Sequence, residues 1–252
     1  MEAYLRQLNE AQLAPTLQKD GPMIVIAGAG SGKTRVLTYR IAYLMHQGVD
    51  PFNILSLTFT NKAAREMKER ISAIVGYSEA KNLWMGTFHS VFAKILRIEA
   101  DRLGYPSNFT IYDTQDAQRL IGSIIKEMGL DKDIYKTKQV AARISSYKNS
   151  LITVRAYFQN PELIEADTMA KRPELGNIYK AYVERCFKSG AMDFDDLLLK
   201  TNELITRFPD VLAKYQDRFR YILVDEYQDT NFIQSEWLKY LSKENKNICC
   251  VA

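Results

Sequence analysis

Cysteine is scarce in this chain: there are three in 252 residues, with Cys249 and Cys250 adjacent and Cys186 apart. No C-x-x-C pair and no Cys/His cluster accompanies them, so the metal-binding signal is missing and all three read as reduced core residues. Long hydrophobic runs are also missing. No window approaches the roughly eighteen uninterrupted apolar residues of a membrane helix, and the opening MEAYLRQLNEAQ lacks the apolar core of a signal peptide. The default is therefore a cytoplasmic protein with no membrane partner. A strong charge of one sign is absent too. The formal net charge of +4 permits a nucleic-acid partner without demanding one. There is no internal repeat and no low-complexity run.

What remains is an ordinary globular composition, 46% hydrophobic and 25% charged, long enough for one large domain or two small ones with real cores. Two segments about two hundred residues apart carry chemistry. Residues 27–34 read AGAGSGKT. Here small residues let backbone N–H groups close around phosphate oxygens, Lys33 brings a positive charge to the outer phosphates, and Thr34 offers a hydroxyl to Mg²⁺. Written strictly, G-x-x-x-x-G-K-[ST] wants glycine at position 27, where this chain has Ala27. The rest of the loop, Gly28, Ala29, Gly30, Ser31, Gly32, Lys33 and Thr34, follows a strand-like run and opens an apolar-periodic helix, the context that the motif requires. The bland alternative is a glycine-rich turn that binds nothing.

Residues 221–231 read YILVDEYQDTN. The apolar run Tyr221 to Val224 reads as a buried strand that delivers Asp225 and Glu226 to its C-terminal end, where ligands bind in open α/β sheets. Asp225 is then placed to hold the metal and Glu226 the attacking water. Taken alone, the same acids suit the positive end of a helix macrodipole.

Strand-like runs at Met23 to Ala27, Ile54 to Thr58, Leu83 to Gly86, Tyr221 to Val224 and Ile248 to Val251 alternate with helix-like segments, the signature of a parallel α/β sheet. From Asp113 to Phe208 the rhythm is helical throughout, with Asp113 and Asp193 as plausible N-caps and Gly129 and Gly190 at expected helix ends. A crossover of that length exceeds a single βαβ connection, so an all-helical subdomain inserted between the third and fourth strands is predicted. The chain stops at NICCVA, a strand-like segment with no covering helix after it, and reads as a piece of a longer protein.

Six short motifs fall in one order: LNEAQ (8–12), AGAGSGKT (27–34), TFTNKAAREMKERI (58–71), GTFHS (86–90), DFDDLL (193–198) and VDEYQDTN (224–231). In that order they resemble the N-terminal half of superfamily one DNA helicases of the UvrD/Rep/PcrA family, over nearly the whole chain. The resemblance implies a RecA-like nucleotide-binding domain at 1–104 and 193–252, truncated at its C-terminus, with a helical domain inserted at 105–192. It implies an ATP-dependent 3′ to 5′ DNA helicase or translocase motor, located with the nucleoid and using ATP and Mg²⁺. Its implied partners are single-stranded DNA, the junction with duplex, and a second RecA-like domain of the same full-length chain, with room for repair or replication proteins. That second domain would bring transition-state arginines and an adenine-stacking tyrosine, so the present chain alone is expected to be catalytically crippled. The helicase portion of a helicase–nuclease and a nucleotide-dependent DNA-binding module without motor activity are the rival readings.

By position in the motifs, Gln12 is similar to the glutamine that reads the adenine edge, a task its paired amide donor and acceptor suit; without the resemblance it is a surface glutamine. Arg35 is similar to a residue that packs beside the base, and Gln228 to one linking the γ-phosphate with the DNA site. Thr58, Phe59, Thr60 and Asn61 offer an aromatic face for a base and small donors for phosphates. The alternative is a buried Phe with a helix cap from Thr60 or Asn61. Thr87, His89 and Ser90 form a parallel case for the DNA backbone, though a lone histidine is usually structural. The acids of DFDDLL are assigned no chemistry, since capping and dipole charges explain them. In the insert, Lys132, Lys136, Lys138, Arg143, Lys148 and Arg155 are set against Asp133, with Tyr135, Tyr147, Tyr157 and Phe158 interspersed. This reads either as a footprint for nucleic acid or as a solvated helical face.

Overall fold

The computed structural model describes residues 2–252, which divide into two compact units, 2–91 with 205–252 and 92–204. The first unit is built on five parallel strands: β1 (Met23–Val25), β2 (Ile54–Thr58), β3 (Trp84–Thr87), β6 (Tyr221–Val224) and β7 (Ile248–Val251), in the spatial order β1-β7-β6-β2-β3. All five lie within a residue or two of the runs read from the sequence. In register, Leu57 stands opposite both Val224 and Gly86, and Val25 opposite Val251. β2 is buried along its whole length, as expected of a strand covered on both faces. β1 has one neighbour and alternates: Met23 and Val25 pack into the core with Leu37, Ile41 and Leu223, while Ile24 and Ile26 are exposed.

Helices follow the strands for local reasons. The helix Asn61–Val75 starts where the Thr60 hydroxyl accepts the Ala63 N–H, and it ends at Gly76, whose φ of 96° no other residue adopts cheaply. The helix Phe232–Ser242 opens on a reciprocal box in which Asn231 and Gln234 accept each other's backbone N–H. The three cysteines are free and buried, as their scarcity implied. No helix among the described residues is long and apolar enough to cross a membrane.

The second unit packs the helices Thr114–Glu127, Thr137–Asn149 and Leu175–Lys188 around Ile121, Ile125, Ile144, Tyr147, Ile178 and Tyr182. It is not all-helical. β4 (Thr110–Tyr112) and β5 (Ala191–Asp193) form a two-stranded parallel ladder, and at three residues each they are too short to leave a period in the sequence. Asp113 caps its helix through a box with Asp116, and Gly190 turns the chain into β5 at φ 59°. The division between units runs through the helices Phe88–Glu99 and Phe194–Arg207.

Candidate nucleotide site

Because the five strands are parallel, their C-terminal ends share one edge, and each motif of the first unit emerges there. The order of strands sets the order of chemistry along that edge. The phosphate loop leaves β1, the acids leave β6, and the Thr58–Asn61 and Thr87–Ser90 segments leave β2 and β3 beyond them.

The loop is shaped by two left-handed glycines, Gly30 at φ 77° and Gly32 at φ 84°. Gly32 caps the fourteen-residue helix Lys33–His46, whose first turn therefore presents free N–H groups and the positive end of the macrodipole. A Cβ at Gly28 or Gly30 would meet nothing within 4 Å, so the loop's outer side is open. Ala27 donates its N–H to the Ala252 carbonyl, extending the β1–β7 ladder by a residue. Arg35 is exposed and borders a cleft of about 800 Å³ lined by Tyr4, Gln7, Tyr39 and Arg70. Tyr4 and Tyr39 meet edge-on at 5.6 Å, and the Tyr39 hydroxyl donates to Gln7 at 2.7 Å. No motif signals these three residues, and sequence reasoning missed them.

Gln12 lies on the loop itself. Its Oε1 accepts the Asn9 N–H at 3.2 Å in a capping box, and its Nε2 donates to the Ser31 carbonyl at 3.0 Å. A Cβ at Gly32 would sit 2.5 Å from that nitrogen. The amide still has one hydrogen and one lone pair to offer a further partner.

Asp225 is buried, 4% exposed, and held by its N–H to the Leu57 carbonyl at 2.9 Å. Oδ1 accepts the Glu226 N–H at 3.0 Å, and Oδ2 accepts the Thr34 hydroxyl at 3.5 Å. Burial and the adjacent Glu226 charge raise its pKa, against the Glu226 N–H, the Thr34 hydroxyl and Lys33. Such a carboxylate gains from a cation. Glu226 adopts φ 50°, rare for a residue with a Cβ, at the start of the turn Tyr227–Asp229. Gln228 donates its Nε2 to Glu226 Oε2. One carboxylate and one hydroxyl fit Mg²⁺, which takes few protein ligands and completes its shell with water and phosphate oxygens. Among the described residues no three His, Cys, Asp or Glu side chains converge on a metal-sized site.

Further along the edge, Thr58 is buried at 3% exposure, and the Phe59 ring packs on Phe88 at 5.4 Å. Thr60 and Thr87 cap helices through Ala63 and Ser90, and the Ser90 hydroxyl returns to the Thr87 carbonyl at 3.0 Å. Thr60, Asn61 and Ser90 are exposed and His89 half-buried. The accessible donors of this region thus lie on Thr60, Asn61 and Ser90 rather than on Thr58.

In the second unit the basic stretch is corrected by what surrounds it. Lys148 is buried, 2.9 Å from both Asp193 and Asp196, and Arg143 pairs with Asp167 at 3.1 Å. Tyr135, Tyr147 and Tyr157 belong to the core. Lys132, Lys136, Lys138, Arg155 and Phe158 are exposed. In DFDDLL the capping reading holds, since Asp193 and Asp196 accept each other's N–H; Lys148 as their shared cation was not legible.

A parallel sheet with a glycine-rich loop before a helix, and an acid facing that helix's threonine from another strand, is the arrangement of a RecA-like P-loop domain. The family profile for the UvrD/REP helicase N-terminal domain matches residues 8–252, and the chain belongs to that family. It is 42% identical over 252 residues to the ATP-dependent DNA helicase PcrA of Staphylococcus aureus, covering 100% of this chain and 34% of that protein. Against the PcrA of Staphylococcus epidermidis it is also 42% identical, over 253 residues, with the same shares. The chain spans about a third of the length of these curated relatives.

Proposed function

We propose that this chain is the ATP-binding part of a DNA helicase motor that moves 3′ to 5′ along single-stranded DNA and opens duplex. The observation that carries the reading is the approach of Thr34 to Asp225 at 3.5 Å, with Glu226 next to Asp225 in the chain and Gln228 bonded to Glu226. The loop amides from Gly28 to Gly32, together with Lys33, hold the triphosphate. Gln12 and Arg35 hold the base. Thr34 and Asp225 hold Mg²⁺, which neutralises phosphate charge when bound.

Glu226 orients the attacking water and takes its proton. The buried Asp225 works as a ligand, and the half-exposed Glu226 is left for the water. Gln228, bonded to Glu226, couples that carboxylate to the β2 and β3 segments, where Phe59, Thr60, Asn61, Thr87, His89 and Ser90 hold the strand and Thr58 anchors the loop from within. The unit 92–204 is the inserted domain of such a motor, and a second RecA-like domain completes the catalytic site.

The test is ATP turnover of the full-length protein with and without single-stranded DNA. Strong stimulation by DNA, with residues 1–252 alone hydrolysing negligibly, is the expected result. Equal rates with and without DNA defeat the motor reading, and matched turnover of the two chains defeats the claim that a second domain completes the site.

A further inference from the structure

The second unit contains a pocket that the nucleotide chemistry does not use. It measures about 280 Å³ and opens between the starts of the helices Thr114–Glu127 and Phe194–Arg207 and one face of Thr137–Asn149. That is near the lower end of small-ligand pockets, roughly 300–1,000 Å³. Its wall is apolar at Ala117, Ile121 and Ala141, and Tyr112 and Phe194 add aromatic faces, the latter 45% exposed.

Acids outnumber cations in its lining, with Asp113, Asp193 and Asp195 against Lys138. The buried Lys148 binds Asp193 but makes no such pair with Asp195. Asp195 instead accepts from Asn149 at 3.1 Å and from Ser145, both neutral. Asp113 adds a carboxylate from a different element, and Lys138 is the one cation among the lining residues, on an exposed turn of its helix. Burial raises the Asp195 pKa, as expected of a carboxylate short of positive charge. Acids exclude phosphate and other anions here. The carboxylates do not converge as metal ligands do, since among the described residues no three His, Cys, Asp or Glu side chains form a metal-sized group. A cation with an aliphatic body satisfies both walls: ammonium groups for Asp195 and Asp113, methylenes for the alanine and isoleucine wall, and a cation–π contact with an aromatic face.

We propose that this pocket is a binding site for a small linear aliphatic amine of the polyamine class, with Asp195 as the principal anchor and Phe194 as its aromatic wall. Spermidine is the probe, titrated calorimetrically into residues 1–252 at fixed ionic strength. One site is expected, weakened at least tenfold by Asp195→Asn, weakened less by Phe194→Ala and strengthened by Lys138→Gln. Asp133→Asn, an exposed acid outside the pocket lining, is expected to leave affinity unchanged. Absence of binding overturns the proposal, as does equal affinity in wild type and Asp195→Asn, or an equal loss in Asp133→Asn, which would mark a general surface-charge effect. Thermal denaturation checks that each variant folds. Should Asp195→Asn fail that check, Phe194→Ala decides, because its ring is already half exposed, and unchanged affinity there overturns the proposal.

Discussion

At the end of β5 the chain places Asp193 and Asp196, and at the end of β6 it places Asp225 and Glu226. Asp193 ends β5 and Asp196 sits in the first turn of the helix Phe194–Arg207, while Asp225 and Glu226 follow β6 and precede the turn Tyr227–Asp229. Their surroundings differ. Asp193 and Asp196 share the buried Lys148 ammonium, Asp193 also accepts the Tyr182 hydroxyl at 2.6 Å, and each caps the other's backbone. Burial works against both charges: Lys148 and Tyr182 still hold the Asp193 pKa below the usual carboxylate range, while at Asp196 burial outweighs the pairing with Lys148 and the pKa is raised. Asp225 has a backbone N–H and a hydroxyl at 3.5 Å, and its pKa is raised. An acid whose counter-charge is built into the fold is structural; an acid kept short of counter-charge is ready for a ligand that brings one.

The largest test of that contrast is Glu226→Gln in the full-length protein. The amide keeps the shape and the ability to meet Gln228 but takes no proton, so hydrolysis is expected to fall by about 10²–10⁴-fold while Mg·ATP binding persists. Single-turnover hydrolysis and equilibrium nucleotide binding separate the two. An equal loss of binding would make Glu226 a metal ligand and blur the difference between it and Asp225.

Lys148→Met attacks the other pair. Removing the ammonium leaves two carboxylates buried without their shared partner, a loss of about 3–5 kcal/mol. Urea denaturation of residues 1–252, followed by a signal from the second unit, measures it. A shift below about 1 kcal/mol, the scale of a surface ion pair, would mean that Asp193 and Asp196 do not depend on Lys148.

Tyr182→Phe removes one hydroxyl from the same cluster. Hydrogen bonds to charged groups contribute about 1.5–3 kcal/mol, and the cost is expected at the lower end because Lys148 remains on Asp193. An effect as large as that of Lys148→Met would make the tyrosine, not the lysine, the main support.

The two pairs also differ in how readable they were. AGAGSGKT and VDEYQDTN announce themselves because phosphate binding constrains residue type at consecutive positions, where backbone N–H groups and a strand end do the work. The five strands were legible for the same local reason, as short apolar runs closed by turn residues. Lys148 was not, since it lies 45 residues from Asp193 and its sequence neighbourhood reads as a basic, exposed stretch. Only the fold shows that it faces inward. β4 and β5 were missed because three-residue strands carry no period, and the Tyr4–Tyr39–Gln7 cluster because its members come from separate elements with no motif between them.

The smallest expected effect is on the stability of Asp225→Asn, and its sign is the most diagnostic. Asp225 has a folded pKa above its unfolded value, so its ionised form is penalised by folding, and the penalty operates at pH values above the folded pKa. It fades as the pH falls through that value and is gone below the unfolded pKa, about 3.9. An asparagine carries no charge to bury, and its Oδ1 still accepts the Glu226 N–H. The variant is therefore expected to denature at a slightly higher temperature than wild type near pH 7 and at the same temperature near pH 3. Asp193→Asn should run the other way, because its carboxylate stabilises the fold above its unfolded pKa and loses that contribution as the pH falls through its lowered folded value. Thermal melts of both variants across pH 3–7 in metal-free buffer give the comparison directly. If Asp225→Asn is destabilised at pH 7 in the same direction as Asp193→Asn, Asp225 is a structural acid, and the distinction between the two strand ends fails.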